Sequence, residues 1–291
     1  WKLKALSFCG NSSAPCALST ALFAGNDILT AFLENPNQVF YLEPRFQSSG
    51  FDTLFVGHSF FMPFALGLPE HASNAGIVNH SQAVVFNGGS NGAPQALWEN
   101  AAKRQEIQAT LDDGDTELFV MTYHPDYPTT QGYENWIDYA LAQNPNTRIA
   151  LGLPWTPYPE QTNAATYDSD WHAFHTATFH PLITQLRALY PGTEIFCIPY
   201  GQSAVELRNL FNSANLDDVD VLTGSAGNAI YTDNLGHPGD ILVDLGRLVW
   251  LRAIYDVDLS TYAHSTGYNA DLKGIAQGVM DAHDPAFDAA Y

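Results

Sequence analysis

Thr53-Leu54-Phe55-Val56-Gly57-His58-Ser59-Phe60-Phe61 is the stretch on which the fold turns. A short run rich in β-formers breaks at a glycine, and a serine follows at a strand-to-helix turn. The same grammar recurs down the chain. Apolar runs at 53–56, 83–86, 118–122, 148–153 and 194–198 each end in Gly, Pro, Asn or His. Stretches at 133–142, 171–189, 205–211 and 241–255 carry apolar residues at three- and four-residue spacing, the mark of helix faces meant for a sheet. Strands alternating with helices predict a three-layer αβα sandwich around a central, mostly parallel, doubly wound sheet of about five strands.

The chain of 291 residues is long enough to bury a large core. Hydrophobic residues make up 46% and charged residues 14%, which excludes a disordered chain, a collagen-like chain or a coiled coil. No repeat or low-complexity tract divides it. The expected organisation is an N-terminal extension over 1–50, one domain over 51–260, and a helical tail over 261–291 packed on that domain.

With 31 acids against 11 bases the formal charge is −20, so nucleic acid and anionic membrane surfaces are repelled and are excluded as partners. No stretch approaches the ~20 apolar residues of a membrane span. Lys2 and Lys4 precede a mildly apolar run ending near Ala24 and Gly25, which resembles a signal peptide although Asn11, Ser12, Ser13 and Pro15 interrupt it. Cys9 and Cys16 close a short loop and are a candidate disulfide, whereas Cys197 sits in an apolar run and reads as a buried free thiol. Acidity and that cysteine pair lean toward a secreted or periplasmic protein.

In an open parallel sheet, reactive groups gather beyond the carboxyl ends of the strands. Ser59 stands there, at a helix N-terminus whose dipole favours developing negative charge. A serine needs a base, and a histidine held by a carboxylate is the usual one. His237 lies in the polar turn Tyr231-Thr232-Asp233-Asn234-Leu235-Gly236-His237-Pro238 before a helix, with Asp233 four residues ahead of it. The glycine-rich loop Asn87-Gly88-Gly89-Ser90-Asn91-Gly92 is suited to presenting backbone N–H groups to an oxyanion. The third run ends in Tyr123-His124-Pro125-Asp126, again polar at the functional end of a strand.

These blocks, in this order over about residues 51 to 255, resemble the SGNH or GDSL-like serine hydrolases. Gly57-His58-Ser59 is similar to the family's nucleophile block. Asn87-x-Gly89-x-x-Gly92 followed by Trp98 is similar to its oxyanion-glycine block, and Asp233 to His237 before a long helix to its acid–base block. The resemblance implies hydrolysis of a carboxylic ester, short-chain acyl or O-acetyl, with no metal or organic cofactor. Ser59 would be nucleophile, His237 base and Asp233 acid. Gly92 and Ser59 would donate N–H groups to the oxyanion, with Gly89, Asn87, His58, His124 and Trp155 completing the binding set. Two departures from the family stand out. His124 lies where an asparagine donor is expected, so that either His124 donates or the donor is missing. The usual acid position holds Asn234, and Asp233 is preferred because a carboxylate holds an imidazolium better than an amide. The substrate would be a small-molecule, lipid, polyester or carbohydrate ester.

Two rival readings remain. His172, His175 and His180 cluster at helical spacing and suggest a metal-dependent hydrolase. Trp155, Tyr158, Tyr123 and Tyr127 suggest an exposed aromatic platform of a non-catalytic carbohydrate-binding module.

Overall fold

The computed structural model describes residues 49–290 and, before them, the backbone of strands β1 (Lys2–Phe8), β2 (Pro15–Leu22) and β3 (Val39–Glu43). The chain divides into two units, Trp1–Ser48 and Ser49–Tyr291. In the first, the three strands form an antiparallel sheet of order β2-β1-β3. The Cys9–Cys16 pairing, together with residues 9–14 and 23–25 of the leader-like run, falls outside the described residues.

The second unit alternates strand and helix. It runs β4 (Asp52–Gly57), α1 (Met62–Asn74), β5 (Ser81–Phe86), α2 (Pro94–Glu99), α3 (Ala101–Leu111) and β6 (Leu118–Thr122). It continues through α4 (Gln131–Gln143), β7 (Arg148–Gly152), α5 (Tyr167–Phe174), a π-helical turn (His175–Phe179) and α6 (His180–Leu189). Then come β8 (Ile195–Ile198), α7 (Gln202–Asn212), β9 (Val221–Thr223), β10 (Ala229–Tyr231), α8 (Asp240–Tyr255) and α9 (Leu272–Ala282). The five expected strands pair in parallel in the order β5-β4-β6-β7-β8. This is a doubly wound sheet whose order reverses between β4 and β6. With helices on both faces it is the α/β sandwich that the SGNH-like resemblance implies.

Alternation along the strands assigns the two cores. Phe55, Val120, Ala150 and Phe196 point into one, where α1, α7, α8 and α9 supply Phe64, Leu207, Leu245, Trp250 and Ala276. Leu54, Val56, Phe119, Met121, Leu151 and Cys197 point into the other, where α3 to α6 supply Ile107, Trp136, Trp171 and Ile183. Strands that are apolar on both faces are the signature of a covered parallel sheet. Cys197 is a buried free thiol, as its apolar surroundings predicted. The tail expected as one helix is the shorter α9 followed by the single turn Pro285–Phe287. Asp271 caps α9 by accepting from the Gly274 N–H.

The first core centres on Trp250, fully buried and packed edge-on to Phe61 at 4.8 Å and against Phe55 at 5.4 Å. Trp250→Ala should lower unfolding free energy by about 3–5 kcal/mol, the usual range for losing a buried tryptophan. Urea denaturation followed by far-UV circular dichroism measures it, and a loss below 1 kcal/mol would show that this core re-forms around the void.

Candidate active site

The turn after β4 is held from inside. His58, 4% exposed, accepts the Phe60 N–H on Nδ1 at 3.2 Å, so Nε2 carries the proton and donates to the Tyr123 carbonyl at 3.1 Å. The N–H groups of Phe61 and Met62 both turn back to the His58 carbonyl. One imidazole thereby ties the end of β4 to the end of β6, across the reversal of strand order. Ser59, half-buried, is left on the outside of that turn. His58, expected in the binding set, touches the cleft but acts mainly as the pin of this turn.

Opposite Ser59 stands the loop after β10. Asp233 Oδ1 accepts the N–H groups of Leu235, Gly236 and His237 at 3.0, 3.0 and 3.2 Å. Its other oxygen, Oδ2, lies 2.6 Å from His237 Nδ1. His237 Nε2 in turn lies 2.7 Å from Ser59 Oγ. With Nδ1–H donating to Asp233, Nε2 is free to accept the serine proton. Burial tends to raise the Asp233 pKa, but the hydrogen bonds from His237 and from the His237 and Gly236 backbone outweigh it and hold it below the ordinary carboxylate range. Asp233, not Asn234, makes the contact that sequence reasoning assigned to it.

The loop is clamped to its neighbour. Trp155 Nε1–H donates to the Gly236 carbonyl at 2.9 Å and the Tyr158 N–H to the Leu235 carbonyl at 3.0 Å. Gly236 has φ of +100°, and a Cβ there would meet Pro159 Cδ at 3.0 Å, so both backbone and space call for glycine. Phe60 stacks on Trp155 at 4.8 Å and meets the His237 ring edge-on at 5.2 Å, which fixes the imidazole laterally.

A cleft of about 370 Å³ opens over Ser59, lined among others by Gly89, Ser90, His124, Trp155 and Tyr158. Beside it Leu153, Trp155, Trp171 and Phe174 wall an apolar recess of about 170 Å³. Two expectations need correction here. Gly92 does not line the cleft. It is buried in the 3-10 turn Gly89–Gly92, where a Cβ would meet the Asn87 and Gly57 carbonyl oxygens at 2.6 Å. Gly89, at φ of +54°, reaches the cleft instead. Among the described residues, the N–H of Ser59 has no hydrogen-bond partner. Asn87 folds back on its own loop, its Oδ1 accepting the Gly88 N–H at 3.0 Å.

Trp155 and Tyr123, read as exposed platforms, are 2% and 4% exposed, and Tyr158 alone of the large aromatics at the cleft projects to solvent. Their burial removes the flat surface a sugar-binding platform requires. His124 does face the cleft. Its Nδ1 accepts the Asp126 N–H at 3.2 Å, leaving Nε2 as a donor, and burial lowers its pKa against the pull of Asp126. The histidine cluster also differs from expectation, since His172 stays at the surface beside Asp168, 3.9 Å away, and does not join His175 and His180.

No family model matches the chain, and no curated protein matches it. Solved structures similar to it include two from bacteria. One is the periplasmic domain of a Salmonella ser. Paratyphi A lipopolysaccharide acetyltransferase, 14% identical with a TM-score of 0.39, covering 77% of this chain and 87% of that one. The other, named as a GDSL-like lipase of Parabacteroides merdae, is 16% identical with a TM-score of 0.41, covering 70% of this chain and 95% of that one.

Burial lowers the His58 pKa to about 4, partly offset by its bond to the Tyr123 carbonyl, and burial with the nearby His264 and Arg247 lowers His71 to about 4. Between that value and the ordinary 6.5 the unfolded chain binds protons that the folded chain refuses. Stability should therefore fall on acidification from about pH 6.5 to pH 4, by up to about 3 kcal/mol for His58. Urea midpoints across this range should show the slope, and His58→Gln should make it shallower, with His71 sustaining the remainder. An unchanged slope in that variant would remove His58 as the source.

Proposed function

We propose that the protein is an SGNH-like serine hydrolase that cleaves carboxylic esters through an acyl-enzyme. The observation that carries this reading is the unbroken contact from Ser59 Oγ through His237 to Asp233, at 2.7 and 2.6 Å. Ser59 Oγ attacks the ester carbonyl as His237 Nε2 takes its proton, and Asp233 steadies the imidazolium. The N–H groups of Ser59 and Gly89, with His124 Nε2–H in place of the missing asparagine, receive the oxyanion. His237 returns the proton to the departing alcohol, then activates the water that releases the acid.

The neighbouring recess suits a short apolar acyl group, and the open rim at Tyr158 leaves room for a larger alcohol portion, sugar or lipid. The −20 charge disfavours anionic substrates, whose approach it would slow. Transfer of the same acyl group to an alcohol is a second outcome of this chemistry, and it is assayed by adding an alcohol and looking for the new ester. We read the protein as extracytoplasmic on its acidity.

Wild type should hydrolyse p-nitrophenyl acetate and butyrate and should be labelled at Ser59 by a fluorophosphonate. Ser59→Ala should lose at least ~10³-fold in kcat/KM with unchanged circular dichroism. Asp233→Asn should lose about 10²–10⁴-fold, chiefly in kcat, because the imidazole loses its orienting charge. Equal turnover by Ser59→Ala and wild type would overturn the assignment. A separate series of p-nitrophenyl esters should show kcat/KM falling as the acyl chain outgrows the recess; a rise with length would sink the short-chain reading.

A further inference from the structure

His175, His180 and His283 come together in the second core, away from the cleft-lining residues. They are 3%, 9% and 6% exposed, and one ring nitrogen from each lies within 4.8 Å of the other two. The backbone is shaped for this meeting. In an α-helix of ~3.6 residues per turn, positions five apart point in different directions. Here the helical run from Tyr167 to Leu189 contains a π turn over His175–Phe179, closed by the His180 N–H donating to the His175 carbonyl. That i to i+5 bond brings His180 against His175, the rings edge-on with centroids 4.5 Å apart. His283, just past the end of α9, brings the third ring, nearly parallel to His175 at 5.2 Å.

The hydrogen bonds leave a ring nitrogen open on His180 and on His283. His283 Nδ1–H donates to Asp288 Oδ1 at 2.6 Å, so Nε2 bears the lone pair. That His283 Nε2 and the His180 Nε2 are buried and have no hydrogen-bond partner among the described residues. Two buried nitrogens without partners are an expense that protein interiors seldom carry. A carboxylate behind a histidine is the arrangement that orients imidazoles toward metal ions. Cys197 Sγ, 3.7 Å from His175 Nε2, adds a soft donor at the margin.

We propose that His175, His180 and His283 form a buried site for a divalent transition-metal ion of the zinc class. Three imidazoles beside a thiol favour zinc over calcium or magnesium, which prefer oxygen. Zinc–nitrogen bonds of ~2.0–2.1 Å in a tetrahedron bring donors to ~3.3 Å from one another, so the rings would have to draw in from their present spacing. Asp288 and Asp284, which act electrostatically on His180, oppose the ion's charge. Arg187 adds a positive charge nearby, with its guanidinium engaged by the Ala286 carbonyl and the Phe287 ring.

The role is structural. The three rings are enclosed, and none lines the cleft. An ion here would join the helix of His175 and His180 to the chain's C-terminal turn, where Phe287 already stacks on His180 at 3.7 Å. Trp171 and Phe174, in the turn before His175, wall the apolar recess, so the ion would also stiffen that wall.

The test uses the full chain without a polyhistidine tag, stripped by chelator and dialysed. Zinc chloride should be taken up at one equivalent and raise the thermal midpoint by several degrees, as a ligand of the folded state must. Cobalt chloride should give the intense visible bands of a four-coordinate ion. His180→Gln and His283→Gln should abolish stoichiometric uptake and the thermal shift, and Asp288→Asn should weaken affinity by about 10–100-fold. Absence of uptake by folded wild type, uptake that persists in both glutamine variants, or the faint bands of six-coordinate cobalt would each overturn the proposal. The cobalt spectrum decides the matter on wild type alone if a variant fails to fold. None of these readouts depends on ester hydrolysis, so the proposal stands or falls apart from the reading of the cleft.

Discussion

The buried imidazole of His58 holds the functional end of the sheet together. A chain leaving a parallel strand for a helix must turn sharply, and its polar groups must find partners inside the protein. His58 supplies both an acceptor for the Phe60 N–H and a donor for the Tyr123 carbonyl, so that the turn after β4 is bound to the strand on the far side of the order reversal. Desolvation keeps the ring neutral, which is the state that can accept on one nitrogen and donate on the other. The position of Ser59 follows from this pin, because the serine is the next residue and the inner side of the turn is already filled.

The opposing loop is built on a different economy. Asp233 spends one oxygen on three backbone N–H groups and the other on His237, so the same carboxylate both folds the turn and orients the imidazole. The turn would be a separate, mobile piece without its attachments, since it follows only a short parallel ribbon, β9 with β10. Trp155 provides the attachment through the Gly236 carbonyl and through Phe60, whose ring lies between the tryptophan and His237. Ser59 and His237 thus share one aromatic support although they are far apart in sequence.

What was legible and what was not divides along physical lines. Ser59, His237 and Asp233 stood out because each lies in a short polar break between apolar elements, and such breaks show in a linear reading. Trp155 was misjudged because its loop is rich in proline and looks solvent-facing, while its burial depends on Phe60, Phe64 and Tyr200 from other elements. Motif spacing favours Gly92 over Gly89, and it cannot reveal which of the two glycines the folded loop buries. The histidine grouping failed for two reasons. Helical spacing assumed a regular α-helix where a π turn intervenes, and His283 enters from the last helix of the chain.

By itself the sequence determined the layered α/β class, because strand-length apolar runs alternating with amphipathic helices can bury their faces in few other ways. It also marked which side chains are chemically equipped, since the capacity to act as nucleophile, base or acid belongs to residue types in polar turns. Only the tertiary structure decided the strand order β5-β4-β6-β7-β8, and with it the crevice beside Ser59. It alone decided that His237 reaches Ser59, that His124 and Gly89 face the cleft, and that His283 meets His175 and His180. Those outcomes depend on contacts between segments distant along the chain, whose free energy is set by shape and burial once the layers close, and no local pattern encodes them.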